Sequence, residues 1–381
     1  MGRLIFVNNK YKISYFFQGG RKERLSKNTP YAKEMFYGYH YFNEIYKDVS
    51  ITEFTTEHSV LRKIFFKYIE KPLRTLLKLP LYWSFVLTKK HFSELKNSDY
   101  AIFSSNRIGC SILPFVIFLR LTKDKTKYLC FVLGLLSRKP KYKFFEIFQN
   151  IYIKIFFKFI DKFIFLSEGE YNLALRNYPK YKNKYYLLPF AVDIDMWKFK
   201  SKKDKNKKIL FVGNDGFRDF QLAEKLSSEL TDFEFIYVSQ NINENNINKS
   251  NSVIKKGSWG DPYLSDEELR SEYHKAFLTI IPLLDSYQPS GQSVALQSLS
   301  CGTPVLITHT VGFWDSENLK NEQNIFFPES DRIDDWKQKI EYIFSLDTDQ
   351  INEIVNNGRN TIEKLYSLDE FSKKIEEILI N

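Results

Sequence analysis

The sequence predicts an α/β protein of two domains, each organised on a doubly wound parallel sheet. Short apolar runs of strand length alternate with longer amphipathic stretches along most of the 381 residues. Two of those runs end in glycine-bearing turns that open helices, and a charged run at 198–208 without apolar periodicity separates the halves. The expected division is residues 1–198 as the first domain and 209–381 as the second.

The first half reads as a strand at 4–7, a polar Gly19–Gly20 loop over 16–28, a helix from Thr29-Pro30 to about Tyr46, and a strand at 49–54. Basic amphipathic helical segments fill 60–95. A strand at 100–105, a helix at 109–121 and a strand at 127–133 follow. The stretch 138–159 mixes aromatic and aliphatic residues with Lys141, Lys143, Lys154 and Lys158. It suits either a core-facing helix with snorkelling lysines or a helix in contact with lipid headgroups. A strand at 162–167 and a helix at 167–177 capped by Ser167 complete this half.

The second half restarts with a strand at 209–212, a Gly213–Gly216 loop carrying Arg218, and a helix from Asp219. Strands are expected at 233–238 and within 253–259, and Ser265 to Glu268 is a capping start for a helix to Ala276. Beyond residue 315 come a strand at 323–327 and helices at 333–346, 348–363 and 368–379.

The most informative stretch is 281–315. It holds a strand end at 279–284, a turn rich in Asp, Ser, Gln and Pro, a helix over 291–301 with Ser290 as expected N-cap, Gly302 and Pro304 behind it, and a strand at 305–308. Free N–H groups at such a helix start form a seat for phosphate oxygens, here the amides of Gln292 and Ser293, with Gly291 allowing close approach. Helical spacing puts Ser290, Ser293 and Gln297 on one face, with the Gln297 amide one turn in, placed for a sugar or ribose hydroxyl. The same spacing also describes an ordinary strand-to-helix junction.

QPSGQSVALQSLSCGTPVLITHTVGFWD resembles the donor-site motif of GT-B glycosyltransferases, the retaining, nucleotide-sugar-dependent kind of group 1. Gln288, Gly291, Gln297, Gly302, Pro304 and Val305 occupy the places of that family's Glu-x-x-Gly turn, second Glu and Gly-x-Pro-Val segment. Both acids are amides here, and the 288-to-297 spacing is one residue longer than usual. Val192, Asp193 and Trp197 match the segment that ends the family's first domain, with Ala191 in place of its Gly. The loop with Gly213, Asn214 and Arg218 resembles the one whose basic residue reaches the donor diphosphate, where a guanidinium neutralises charge on the leaving group.

The resemblance implies two Rossmann-like domains facing across a cleft, residues 1–198 on the acceptor side and 209–381 binding the nucleotide-sugar donor, with the last helix returning to the first. It implies a glycosyltransferase, of hexosyltransferase type, moving sugar from a nucleoside-diphosphate donor to a saccharide or lipid-linked glycan, in cell-surface polysaccharide or lipopolysaccharide synthesis. Arg218 is the expected catalytic residue; Gly213, Asn214, Gln288, Ser290, Gly291, Gln292, Ser293 and Gln297 are the expected substrate contacts. No cofactor or metal is expected. The competing reading is a non-catalytic GT-B-like protein that binds a nucleotide-sugar or a glycan, suggested by the missing carboxylates.

Charge sharpens the difference between the halves. Residues 1–200 carry 36 Lys+Arg against 16 Asp+Glu, and residues 201–381 carry 20 against 30, so the net +10 conceals +20 and −10. A basic half is drawn to nucleic acid, an anionic membrane or a phosphorylated acceptor; no nucleic-acid recognition motif accompanies the charge. Cys110, Cys130 and Cys301 show no paired spacing, so the sequence suggests neither a disulfide framework nor a zinc site. No apolar run reaches the roughly 18 residues of a spanning helix, and the start lacks a signal h-region. The expected location is the cytoplasm, peripheral at the inner face of the membrane.

Overall fold

The computed structural model describes residues 8–27, 29–55, 59–201, 206–257 and 264–380. The chain forms two compact units. The first comprises residues up to 27, Phe36–Leu188 and the C-terminal residues from Ser372; the second comprises the segment ending at Met35 and Pro189–Phe371.

The first unit carries strands β1 (Asn8–Phe17), β2 (Tyr46–Glu53), β3 (Tyr100–Phe103), β4 (Lys127–Val132), β5 (Lys162–Phe165) and β6 (Tyr185–Leu187) in the order β2-β1-β3-β4-β5-β6, every pairing parallel. The central strands are apolar end to end, as in YAIF of β3, because helices cover both faces of a parallel sheet. Helices α1 (Arg21–Ser26), α2 (Tyr39–Ile45), α3 (Val60–Phe65), α4 (Lys71–Leu77), α5 (Trp83–Val86), α6 (Lys89–Lys96), α7 (Asn106–Leu121), α8 (Lys143–Phe159) and α9 (Glu168–Asn177) surround it. A π-turn, Phe66–Glu70, joins α3 to α4. Ser167 caps α9 as expected, accepting from the Glu170 amide.

The second unit carries β7 (Lys208–Val212), β8 (Glu234–Val238), β9 (Ser252–Lys255), β10 (Leu278–Ile281) and β11 (Val305–Ile307), also all parallel, in the order β11-β10-β7-β8-β9. Its helices are α10 (Phe220–Glu229), α11 (Asp266–Lys275), α12 (Gln292–Ser300), α13 (Ile333–Ser345) and α14 (Thr348–Leu365). In chain order this is a 3-2-1-4-5 sheet, the arrangement that opens a crevice at the carboxyl ends of the two strands where the winding reverses, here β7 and β10. The final helix α15 (Leu368–Ile380) joins the first unit from Ser372 onward, where Glu376 accepts from Tyr41 and Tyr46 at 2.6 Å each.

Several expected elements differ. The helix from residue 29 to 46 is instead an irregular segment, a 3-10 turn at Glu34–Phe36 and the short α2, because Tyr37 and Gly38 take φ of 52° and 83° and break the helix. The polar loop at 16–28 is shorter, since β1 runs to Phe17 and α1 follows Gly20. At 323–327 there are only isolated bridges, Leu306 to Phe326 and Asn321 to Ile325. Nothing is regular enough there to count as a strand, as the Asn324 side chain folds back to accept from the Lys320 amide. The expected strand at 4–7, part of the 198–208 linker and Trp259 lie outside the described residues.

Candidate functional site

The carboxyl ends of β7 and β10 carry the two glycine turns singled out in the sequence. After β7 the chain passes Gly213, at φ 151°, and reaches Arg218, which is only 4% exposed. The Arg218 backbone bridges Leu283, while the Asp219 amide donates to the Pro282 carbonyl at 2.9 Å and the Leu284 amide to the Phe217 carbonyl at 2.9 Å. The two turns are thereby stitched together. Asp219 then caps α10 through the Leu222 amide.

Both glycines leave room for the Arg218 side chain where it lies. A Cβ on Gly213 would fall onto Arg218 Nε and lie 3.0 Å from Cζ; a Cβ on Gly291, at φ 81°, would sit 2.8 Å from Nη1. The guanidinium is thus sandwiched between two bare backbone positions. Asp215 Oδ2 lies 3.3 Å from Nε as an ion pair, but neither Nε nor Nη1 makes a hydrogen bond. Burial pushes the Arg218 pKa down, with Asp215 and then Tyr273 opposing that shift. A guanidinium retains its charge even so, and buried N–H groups without acceptors cost about 1–3 kcal/mol each unless a ligand supplies the acceptor.

Next to it α12 begins. Its N-cap is Gly291, not Ser290: no side chain caps this helix, and the left-handed backbone at 291 takes the position that Ser290 was expected to fill. Ser290 Oγ is buried with no hydrogen-bond partner. The first intrahelical bond is Ala295 N to Gly291 O at 2.9 Å, which leaves the amides of the first turn, including Ser293, without helical acceptors. Gln292 is 3% exposed and Ser293 half-buried. Gln288 is half-buried in the preceding turn, where its amide donates to Ser286 Oγ at 3.1 Å. A buried cation, a helix start and an orphan hydroxyl therefore converge at the crevice of the sheet, which is the chemistry of an anion seat.

Two expected contacts are engaged elsewhere. The Asn214 side chain donates to the Gly257 carbonyl at 2.6 Å and accepts from Ser239 Oγ at 3.0 Å and the Gln240 amide at 2.6 Å, so it ties the ends of β8 and β9 to the loop. Gln297 is 7% exposed and bonded at both ends: its Oε1 accepts from Tyr273 Oη at 3.1 Å and its Nε2 donates to Glu34 Oε1 at 2.9 Å. It lies on α12 one turn in, and its side chain bonds within the chain to Tyr273 and Glu34.

Glu34 was not expected at all. It arrives on the segment that belongs to the second unit although it precedes α2, held there by Ala32 N to Asp266 Oδ2 at 2.8 Å and Lys33 N to Asp193 Oδ2 at 3.1 Å. Its Oε1 also accepts from Trp197 Nε1 at 2.8 Å, while Oε2 is buried without a partner. Burial raises its pKa to about 7, against the hydrogen bonds from Gln297 and Trp197. A contact 263 residues away in sequence leaves no local signal; only Trp197, already matched in the 187–197 segment, hinted at a buried partner.

No family model matches the sequence, and no curated protein matches it either. Solved structures do match the fold. Sucrose-phosphate synthase from Thermosynechococcus elongatus is 14% identical at a TM-score of 0.69, with 97% of this chain and 98% of that one covered. HepE from Anabaena, solved in complex with UDP-glucose, is 11% identical at 0.64, covering 97% and 99%. The N-terminal domain of trehalose-6-phosphate phosphatase from Candida albicans is 12% identical at 0.67, covering 100% and 98%. The chain accordingly has the GT-B fold of two Rossmann-like domains.

Proposed function

We propose that the chain is a glycosyltransferase that takes a nucleoside-diphosphate sugar as donor. The observation that carries this reading is Arg218, buried between Gly213 and Gly291 with unanswered N–H groups beside the start of α12. A diphosphate supplies acceptors for both. In transfer, the bond from the anomeric carbon to the β-phosphate oxygen breaks and one to an acceptor hydroxyl oxygen forms, the hydroxyl proton passing to the released diphosphate. Negative charge grows on the leaving oxygen, where Arg218 and the α12 amides stabilise it. The proposed stereochemical outcome is retention, following the resemblance of the 288–305 segment. HepE, of the same fold and solved with UDP-glucose, makes a UDP-sugar the first donor to try. The proposed acceptor is a saccharide or lipid-linked glycan of a cell-surface polysaccharide or lipopolysaccharide, and the sugar a hexose.

Lipid contact is part of the proposal. In α8 Phe144, Ile147, Phe148 and Ile151 form an exposed stripe at i, i+3, i+4 and i+7, with Lys139, Lys141 and Lys143 exposed at its head. Val60, Leu61, Ile64 and Tyr68 form a second exposed apolar row on α3 and the π-turn, and α4, which follows them, packs against α8. Such rows among cations suit the interface of an anionic bilayer. Among the described residues no helix is long and apolar enough to cross a membrane.

The second reading, binding without transfer, is favoured by one observation: the place of the family's second acid holds the neutral amide of Gln297, engaged at both ends with Tyr273 and Glu34. A panel of nucleotide-sugars screened by thermal shift and then by product analysis decides. A ligand at 100 times its dissociation constant stabilises by about 2.7 kcal/mol. Stabilisation with turnover supports the transferase, stabilisation with neither transfer nor hydrolysis supports the binding protein, and no response to any nucleotide-sugar removes both.

A further inference from the structure

The first unit contains a second concentration of unanswered positive charge, away from the donor loops. A hollow of about 960 Å³ lies beside the carboxyl end of β2, an edge strand, and is lined by Lys22, Glu53, Arg62, Lys89, Lys90 and His91 among others. Its floor is the start of α6. Thr88 caps that helix, its Oγ1 accepting from the His91 amide, and the first two helical residues are Lys89 and Lys90. Cations are the wrong sign for a helix N-terminus, where the dipole favours anions by typically 0.3–1 kcal/mol, and no acidic residue occupies the first turn. Lys22, Lys89 and Lys90 take part in no ion pair among the described residues.

Arg62 adds a charge fixed in place, its guanidinium held by the Leu87 carbonyl at 3.0 Å and the Ser84 carbonyl at 3.4 Å. One carboxylate, Glu53, shares the hollow and offsets one of its cations; its Oε1 accepts from the Arg21 amide at 2.6 Å and more weakly from the Lys22 amide. His91 is 2% exposed, with Nδ1 2.7 Å from Thr88 Oγ1 and Nε2 making no hydrogen bond of proper geometry. Burial, followed by the charges of Lys90 and Arg62, lowers its pKa to about 4, with the Glu53 backbone carbonyl pulling the other way. The ring is therefore neutral. Nδ1 is paired with Thr88 Oγ1, which leaves Nε2, buried near the Glu53 carbonyl in a residue that lines the hollow, as the ring nitrogen open to a further partner.

We infer that this hollow is a phosphate-binding site, in which Lys22, Lys89 and Lys90 and the start of α6 receive the oxygens of a phosphate monoester or diphosphate and His91 Nε2 donates from the floor. The inference stands on the first unit alone and does not require the donor reading. Two sources share that chemistry. One is a soluble phosphorylated saccharide. The other is a lipid phosphate, since Ser59, which caps α3, lines the hollow, and the exposed Val60 and Leu61 follow it directly.

The test uses the full chain carrying Arg218→Ala, so that the donor loops do not contribute, and reads the His91 imidazole resonance, assigned by His91→Gln, during titration with inorganic phosphate. The resonance is expected to shift saturably. Lys89→Ala/Lys90→Ala is expected to weaken that response at least tenfold while raising the melting temperature in phosphate-free buffer, because like charges leave a helix start. A merely structural role for the lysines gives the opposite sign in the second readout. Lys225→Ala/Lys249→Ala, exposed in the second unit and outside any proposed site, is expected to change neither. Glucose 6-phosphate and vesicles containing phosphatidic acid then separate the sources: the probe whose binding falls in Lys89→Ala/Lys90→Ala names the ligand. An unmoved His91 resonance, or binding equal in both lysine pairs, overturns the inference.

Discussion

Replacing Gly291 with alanine tests fold and site together. Residue 291 has φ 81°, a left-handed conformation that costs an L-residue roughly 1–2 kcal/mol. The new Cβ would lie 2.8 Å from Ile281 Cγ2, 3.2 Å from Ile307 Cδ1 and 2.8 Å from Arg218 Nη1, all tighter than ordinary van der Waals contact. Both isoleucines are fully buried in the sheet, and overpacking such a site costs about 1–3 kcal/mol. The expected loss is therefore about 2–5 kcal/mol, unless Arg218 gives way and leaves the anion seat. Urea denaturation followed by tryptophan fluorescence reports mainly on the second unit, since Trp197, Trp314 and Trp336 are buried there. Nucleoside-diphosphate affinity is expected to fall at least tenfold, about 1.4 kcal/mol, in protein that is still folded. Gly216→Ala is the control, because a Cβ there meets nothing within 4 Å. A Gly291→Ala protein with unchanged diphosphate affinity and less than about 1 kcal/mol of destabilisation would refute the sandwich of Arg218 as the seat.

Other outcomes follow from the buried network. Glu34 has a folded pKa raised to about 7 from a usual 4.5, so its contribution is complete below pH 4.5 and is lost as pH rises through 7, by up to about 3 kcal/mol. Glu34→Gln, still able to accept from Gln297 and Trp197, is expected to lose less stability than the native chain between pH 5 and pH 8 in urea titrations; equal losses would contradict the assignment. Gln297→Glu sets a second carboxylate against Glu34 Oε1, where Nε2 now sits at 2.9 Å, and is expected to destabilise at pH 8 more than at pH 5. Vesicle co-sedimentation is expected to require anionic lipid, to fall with salt, and to weaken in Lys139→Glu/Lys141→Glu/Lys143→Glu; equal recovery on neutral vesicles would count against lipid contact.

How much of this was legible in the sequence depends on the range of the interaction. The strand–turn–helix–strand unit at 279–308 was readable because glycine, proline and apolar periodicity act within a few residues, and β10, α12 and β11 fall close to their expected places. The capping box of Ser265 and Glu268 was readable for the same reason. The N-cap failed by one residue: serine is the better cap by its side chain, but the left-handed backbone falls at 291, where only a residue without a Cβ leaves room for Arg218 and Ile281. Asn214 and Gln297 were assigned ligand contacts because polar residues in a turn and on a helix look alike whether they face solvent or core. What decides between them is Gly257, Ser239, Tyr273 and Glu34, brought in from distant strands and from a segment whose membership in the second unit no local pattern encodes.

The central claim is that Arg218 and the start of α12 are built for a diphosphate. Calorimetric titration of the native chain and of Arg218→Ala, with the nucleoside diphosphate selected by the nucleotide-sugar panel and with its monophosphate, tests this most directly. The native chain is expected to prefer the diphosphate at least tenfold and Arg218→Ala to lose that preference while remaining folded. The same preference in both proteins would contradict the claim.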